Sequence, residues 1–192
     1  MDIINNNPYR VIGILVGTST REEHNKTKKL KMYIEAEQEV PEDFSFPIIG
    51  SINRKIANID DAISKLTLNK NRVEASVFWF YNGNAITDEP TFEAMKASKV
   101  DAKEAVKAWL KLSDSDEVTK RNASAFQNLS TLYLSNAFKK NTITKSKLEK
   151  AIALKLKFLQ SDFSKEFLAL SSDTTYQISR DEIQINFLNQ PL

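Results

Sequence analysis

Asn7-Pro8-Tyr9-Arg10-Val11-Ile12-Gly13-Ile14, followed closely by Thr18-Ser19-Thr20-Arg21-Glu22-Glu23, is the stretch on which the reading of the fold turns. Proline tolerates the first helical position because its missing N–H would have had no partner there. The segment therefore reads as one short helical turn with Tyr9, Ile12 and Val11 on its inner side, ended by Gly13. Thr20 with Glu23 reads as a capping box, in which the hydroxyl takes the Glu23 amide and the carboxylate reaches back to the cap. The next helix, over 21–39, carries Lys26, Lys28, Lys29 and Lys31 beside a thin apolar side of Thr27, Leu30, Tyr33 and Ile34. Unpaired lysines are not buried, so one face of this helix is expected to be a solvated basic stripe. Solubility is the plainest use of such a stripe, and docking of an acidic partner is the sharper one.

Pro41 and Pro47 exclude a regular helix in the next segment. Phe44, Phe46 and Ile48 alternate there, as in an extended strip with one side tucked onto the helices. Ile52, Ile56, Ile59, Ile63 and Leu66 then recur at helical spacing and predict a core helix, with Ser51 or Asn53 as its cap. Isoleucine is a mediocre helix former, so packing has to hold this element. Residues 72–81 predict one more helix, ending in Phe78-Trp79-Phe80-Tyr81. Four consecutive aromatics cannot share one helical face. Val73, Val77 and Phe80 are expected to face the first unit, and Phe78, Trp79 or Tyr81 to meet the second half of the chain. A nucleobase-stacking platform is the alternative use, but basic residues are not interleaved with these rings.

Small helix, basic helix, proline-bearing loop and core helix, in that order from Ile3 to Phe80, resemble a J domain, the helical hairpin that recruits DnaK-type chaperones. The resemblance rests on Asn7 through Gly13, the Thr20 helix start, the lysines of the second helix, and Asn53 through Arg72. Within the last segment Ile59, Ala62, Ile63, Leu66 and the closing Arg72 look like the third J helix. It implies an all-α hairpin whose basic second helix docks a chaperone. J proteins stimulate the chaperone ATPase through a His-Pro-Asp tripeptide after that helix. Here the matching place reads Tyr33-Ile34-Glu35-Ala36, and Pro41-Glu42-Asp43 offers a proline and acids without a histidine.

From Asp88 onward the texture changes. Asp88-Glu89-Pro90 is expected to start a short helix with Phe92 and Met95 inside. Lys99-Val100-Asp101 starts a second, with Ala102, Ala105, Val106, Trp109 and Leu112 inside. Ser115-Asp116 opens a third with a stripe of Ala125, Phe126, Leu129, Leu132, Tyr133 and Ala137. Thr144 caps a fourth bearing Leu148, Ile152, Leu156, Leu159, Phe163 and Phe167. Short connections between such helices predict an antiparallel bundle. Small residues alternating with large ones, as at Ala105 and Trp109, resemble tetratricopeptide pairs. Ser179-Arg180-Asp181-Glu182 is a further capping box, predicting a last helix through Phe187. The expected organisation is a J-like unit over 1–84 and a helical-repeat-like bundle over 85–192.

Only four glycines among 192 residues favour long helices over many strands, and 41% hydrophobic with 27% charged residues fits a globular chain. Without cysteine there are neither disulfides nor thiolate metal sites. A single histidine, His24, leaves little from which to build a zinc site or a histidine-based triad. Gly13 and Gly17 lack the Gly-Lys-Ser/Thr ending of a phosphate loop. Acidic pairs such as Asp60-Asp61 stand where helix starts and exposed faces explain them. No run is long and apolar enough to span a bilayer, so a cytoplasmic chain is expected, with the ending Asn189-Gln190-Pro191-Leu192 read as a place from which a longer protein continues. The expectation is a non-enzymatic protein–protein interaction module without catalytic, cofactor or metal residues, binding a partner through Lys26, Lys28, Lys29 and Lys31 or through a helical groove. The alternatives are an unconventional co-chaperone of a DnaK-type ATPase, and nucleic-acid binding by the lysine stripe. A net charge of +2 does not point to nucleic acid.

Overall fold

The predicted first turn forms, and Asn7 is its cap. Its side-chain oxygen accepts the Tyr9 amide, Pro8 stands at the first helical position, and Gly13 closes helix α2 (Pro8–Ile12) in the left-handed conformation at φ 79°. A single turn, α1 (Asp2–Asn5), precedes it. The computed structural model describes residues 2–41, 43–97, 102–139 and 142–190. Among these the fold is all-α, apart from the two-residue strands β1 (Phe138–Lys139) and β2 (Thr142–Ile143), paired antiparallel. No helix among the described residues is long and apolar enough to cross a membrane.

The basic helix, α3 (Thr20–Glu35), starts one residue earlier than Thr20 would have it. Ser19 is the cap, its hydroxyl accepting the Glu22 amide while the Glu22 carboxylate takes the Ser19 N–H. The observed box satisfies the amides of residues 19 and 22 where the predicted one would satisfy those of 20 and 23, and a Thr-Ser-Thr run leaves the choice to backbone geometry. Helix α4 (Ile56–Thr67) buries Ile59, Ala62 and Leu66, whereas Ile52 lies before its first turn. The segment ahead of α4 is extended because Arg54 is committed elsewhere: its guanidinium donates to the Arg10 and Val11 carbonyls at the C-terminus of α2. Neither Ser51 nor Asn53 caps α4. Lys31 of α3 pairs with Asp60 of α4, and Glu23 with Arg72, which lies beyond the end of α4.

Helix α5 (Asn69–Val77) ends four residues before Tyr81, short of the predicted 72–81. The four aromatics leave the helix, and all are buried: Phe78 and Trp79 at 1% and 0% exposure, Phe80 and Tyr81 at 0% and 6%. Side chains of α9 (Ala123–Ala137) replace the lost helical hydrogen bonds. Gln127 Nε2 donates to the Val77 and Trp79 carbonyls, and Asn128 bonds both the N–H and the C=O of Tyr81. Val16 N–H bonds the Phe80 carbonyl from the other side in a parallel bridge. Of the three alternatives Phe78, Trp79 and Tyr81, Trp79 turns toward the first unit, its indole N–H donating to the Ile14 carbonyl at 2.8 Å, while Phe80, expected to face that unit, also stacks on Trp109 of the second half. Phe78 meets Phe187, and Tyr81 meets Phe158 and Phe167. No face is left on which a base could stack.

Phe46 reaches the same centre from the proline-bearing loop, with φ 53° and no exposure. Its ring lies against Trp79, Phe80 and Phe92. A side chain of this size, fully buried, outweighs the roughly 1–2 kcal/mol cost of a left-handed backbone.

The second half runs as α6 (Ala85–Lys96), α7 (Ala102–Ala105), α8 (Lys107–Ser113), α9, α10 (Lys145–Gln160), α11 (Phe163–Ala169) and α12 (Arg180–Leu188). Helix α6 starts three residues before Asp88. The buried Asp88 carboxylate folds back to accept the Gly83 and Asn84 amides, and also the Trp109 indole N–H at 2.7 Å. The start expected at Lys99-Val100-Asp101 lies outside the described residues. Ser115-Asp116 falls in a turn rather than at a helix start, since Asn122 closes that turn on the Thr119 amide and the Leu112 and Glu117 carbonyls before α9 begins. Helix α9 is buried on almost every side, which suits the middle element of a bundle. Ser130 and Ala151 bring α9 and α10 together through a hydrogen bond between hydroxyl and carbonyl. Ser179 caps α12 on the Glu182 amide, as predicted. One continuous core joins residues from both halves.

Candidate functional site

The four lysines of α3 divide into two pairs. Lys26 lies 3.5 Å from the Asp43 carboxylate, and Lys31 is bonded to Asp60 of α4. Lys28 and Lys29 are exposed; Lys29 reaches over the Tyr33 ring at 5.9 Å, and among the described residues Lys28 has no acidic partner within ion-pair distance. Arg21, His24, Asn25, Lys28, Lys29 and Met32 share the outward side of the helix, with Met32 at 58% exposure. The predicted four-lysine stripe is therefore a two-lysine face flanked by fold-forming ion pairs. Helical spacing sets Lys26 one turn from Leu30 and Lys28 opposite it, but could not show which lysines would find acids elsewhere.

Asp43 is the anchor of the loop beside this helix. Its carboxylate is held by Arg54 at 2.9 Å and accepts the Ser45 amide at 2.8 Å. Burial pushes the Asp43 carboxyl up, but the Arg54 charge and hydrogen bond, with the Ser45 amide and Lys26, hold it below its ordinary value. Arg10, buried among carbonyls of Asn5, Ser45 and Gly50, is pushed down to about 10 by burial and by neighbouring Arg54. These groups tie the loop to α2. Their hydrogen bonds point inward, at backbone.

Lys155, on α10, is a buried cation that periodicity did not reveal. Of the predicted apolar stripe, Leu159 and Phe167 are buried while Leu148, Ile152, Leu156 and Phe163 are half-buried, and beside Leu159 the inward face of α10 carries Ala151, Lys155 and Phe158. The Lys155 amine donates to the Val77 carbonyl and to Gln127 Oε1, each at 2.5 Å, and lies 3.4 Å from the Thr131 hydroxyl. Since Gln127 also holds the 77–79 carbonyls, the amine locks the point where α5 gives way to the aromatic run. Three donors meet three acceptors at a helix C-terminus, which favours a cation, yet complete burial lowers the amine well below its ordinary 10.5.

Stability is thereby linked to pH. Between the lowered folded value and 10.5 the unfolded chain keeps a proton that the folded chain has released. Stability therefore rises with pH across that window, by at most about 1.4 kcal/mol per unit, and the gain is complete above 10.5. Urea unfolding of the wild type and Lys155→Met at successive alkaline pH values should show this rise in the wild type alone. Equal slopes for the two proteins would refute a buried, proton-releasing Lys155.

No protein-family model, curated protein or solved structure matches the chain.

Proposed function

We propose that this chain is a non-enzymatic interaction module, working in the cytoplasm, that docks an acidic protein surface on the outward face of α3. The observation behind it is the division among the lysines. Two are spent on internal ion pairs, while Lys28 and Lys29 stand exposed beside Met32, offering charge and an apolar contact together. Exposed charges of this kind act mainly on encounter rate and register, so binding should weaken with ionic strength. In affinity capture at low salt, Lys28→Glu with Lys29→Glu should lose the salt-sensitive partners, while Lys28→Ala with Lys29→Ala weakens them less. A set of partners unchanged by charge reversal would sink this reading.

A second reading, an unconventional co-chaperone of a DnaK-type ATPase, is favoured by the ion pairs that hold α3 against its neighbours, Lys31 with Asp60 of α4 and Glu23 with Arg72 of α5. It requires a saturable rise in the chaperone's steady-state ATPase rate when the chain is added. That rise should vanish on reversing Lys28 and Lys29. A flat titration removes this reading and leaves the interaction module standing.

A further inference from the structure

A groove of about 500 Å³ runs between α8 and α10, on the face of the molecule built by the second half. Helix α9 packs against both neighbours and supplies its floor through Leu129 and Tyr133, four residues apart on one side of the helix. Leu110 of α8 and Leu154 of α10 form the apolar walls, both half-buried. Three exposed lysines surround this strip, Lys111 on the α8 side and Lys150 and Lys157 on the α10 side, against one exposed acid on the lining, Asp114 at the end of α8. Among the described residues Lys111 and Lys150 have no acidic group within ion-pair distance. Lys157 is tied only to Asp116, at 3.6 Å, and Asp116 is fully exposed, a link that a better-placed carboxylate can displace.

The spacing defines the occupant. Lys150 and Lys157 are one heptad apart, so they stand about 10.5 Å apart along α10, with Ala153 and Leu154 between them. A partner helix lying along the groove matches this pattern with two acidic residues seven apart and two large apolar residues between them. The apolar pair fills the space over Leu129 and Tyr133, and the carboxylates meet Lys150 and Lys157 at the ends. This is the helix-in-groove mode, in which apolar anchors carry affinity and charges fix register.

We infer that this groove is a second docking site, distinct from α3, whose occupant is an acidic amphipathic helix of another protein. The intact chain is titrated with a fluorescent, end-capped 16-residue helical peptide presenting Glu-x-x-Leu-Leu-x-x-Glu on one face. A scrambled peptide of the same composition and a version with Lys in place of both Glu serve as comparators, all read by anisotropy. The acidic peptide should bind at least tenfold more tightly than either, and Lys150→Glu with Lys157→Glu should cost at least tenfold while restoring binding of the lysine version. Lys28→Glu with Lys29→Glu should leave this peptide's binding unchanged, so failure here and failure of the α3 reading are separable. Both substituted positions on α10 are exposed, and unchanged helical circular dichroism verifies that the variant is folded. Acidic and scrambled peptides binding alike, or loss of binding through the α3 variant instead, would overturn the inference.

Discussion

Replacing Trp79 by alanine should destabilise the whole chain by about 3–5 kcal/mol, the range for emptying a large aromatic site in a packed core. Trp79 has no exposure, and its ring lies 6.2 Å from that of Phe46 and 5.1 Å from that of Phe80. Through those two rings it reaches Phe92 and Trp109 of the second half. The substitution also leaves the Ile14 carbonyl without its indole donor, and an unmet buried acceptor carries its own desolvation cost. Against a typical total of about 5–15 kcal/mol, such a loss leaves little margin. Because the aromatic cluster spans both halves, thermal unfolding followed by far-ultraviolet circular dichroism should remain one transition, lowered by roughly 10 °C. Trp79→Phe, which keeps most of the ring and loses the N–H, should fall between. A change below about 1 kcal/mol for Trp79→Ala, or a melt split into two steps, would show that the cluster does not join the halves.

Gly13→Ala should be nearly as damaging, for a different reason. Gly13 holds φ 79°, and a Cβ there would stand 2.2 Å from the Asp43 carboxylate. Relief of that clash requires Asp43 to swing away from Arg54. Breaking a buried ion pair by displacing one partner costs about 3–5 kcal/mol, because the other charge stays buried without compensation. The left-handed backbone adds about 1–2 kcal/mol. Gly50, at φ 139° with nothing within 4 Å of where a Cβ would stand, has no such clash, so the same change there should carry only the backbone cost of a glycine-favouring conformation, about 1–3 kcal/mol. Coupling can be measured directly in a double-mutant cycle by urea unfolding. Once Asp43→Ala has removed the carboxylate, Gly13→Ala should add little beyond its backbone cost. Strict additivity would place the damage in the backbone alone.

Both predictions sit on features that the sequence made partly visible. Pro8 and Gly13 mark the ends of α2 because each is written in local backbone chemistry, a missing N–H and a positive φ. The Ser179 cap and the Ile59–Leu66 face of α4 are likewise local, spanning no more than a turn or two. Four adjacent aromatics could be recognised as serving more than one surface, since helical periodicity forbids a single face. Their partners could not be named, nor which of Phe78, Trp79 and Tyr81 would turn back to the first unit.

What escaped the sequence is polar and long-range. The apolar pattern does not single out Lys155, and its burial depends on Val77 and Gln127, which are 78 and 28 residues away along the chain. Lys26 and Lys31 look identical to Lys28 and Lys29 until Asp43 and Asp60 are brought beside them. Likewise, Lys111 gains meaning next to Lys150 and Lys157 only when α9 sets α8 and α10 apart. The amino-acid order by itself determined an all-α chain, several of its helix ends and one core helix face, because capping, proline and glycine geometry and apolar periodicity act within a few residues. The tertiary structure alone decided which charges are buried, paired or left for a partner. The cost of desolvating a charge depends on what stands within a few ångströms of it, and that is set by packing between distant segments.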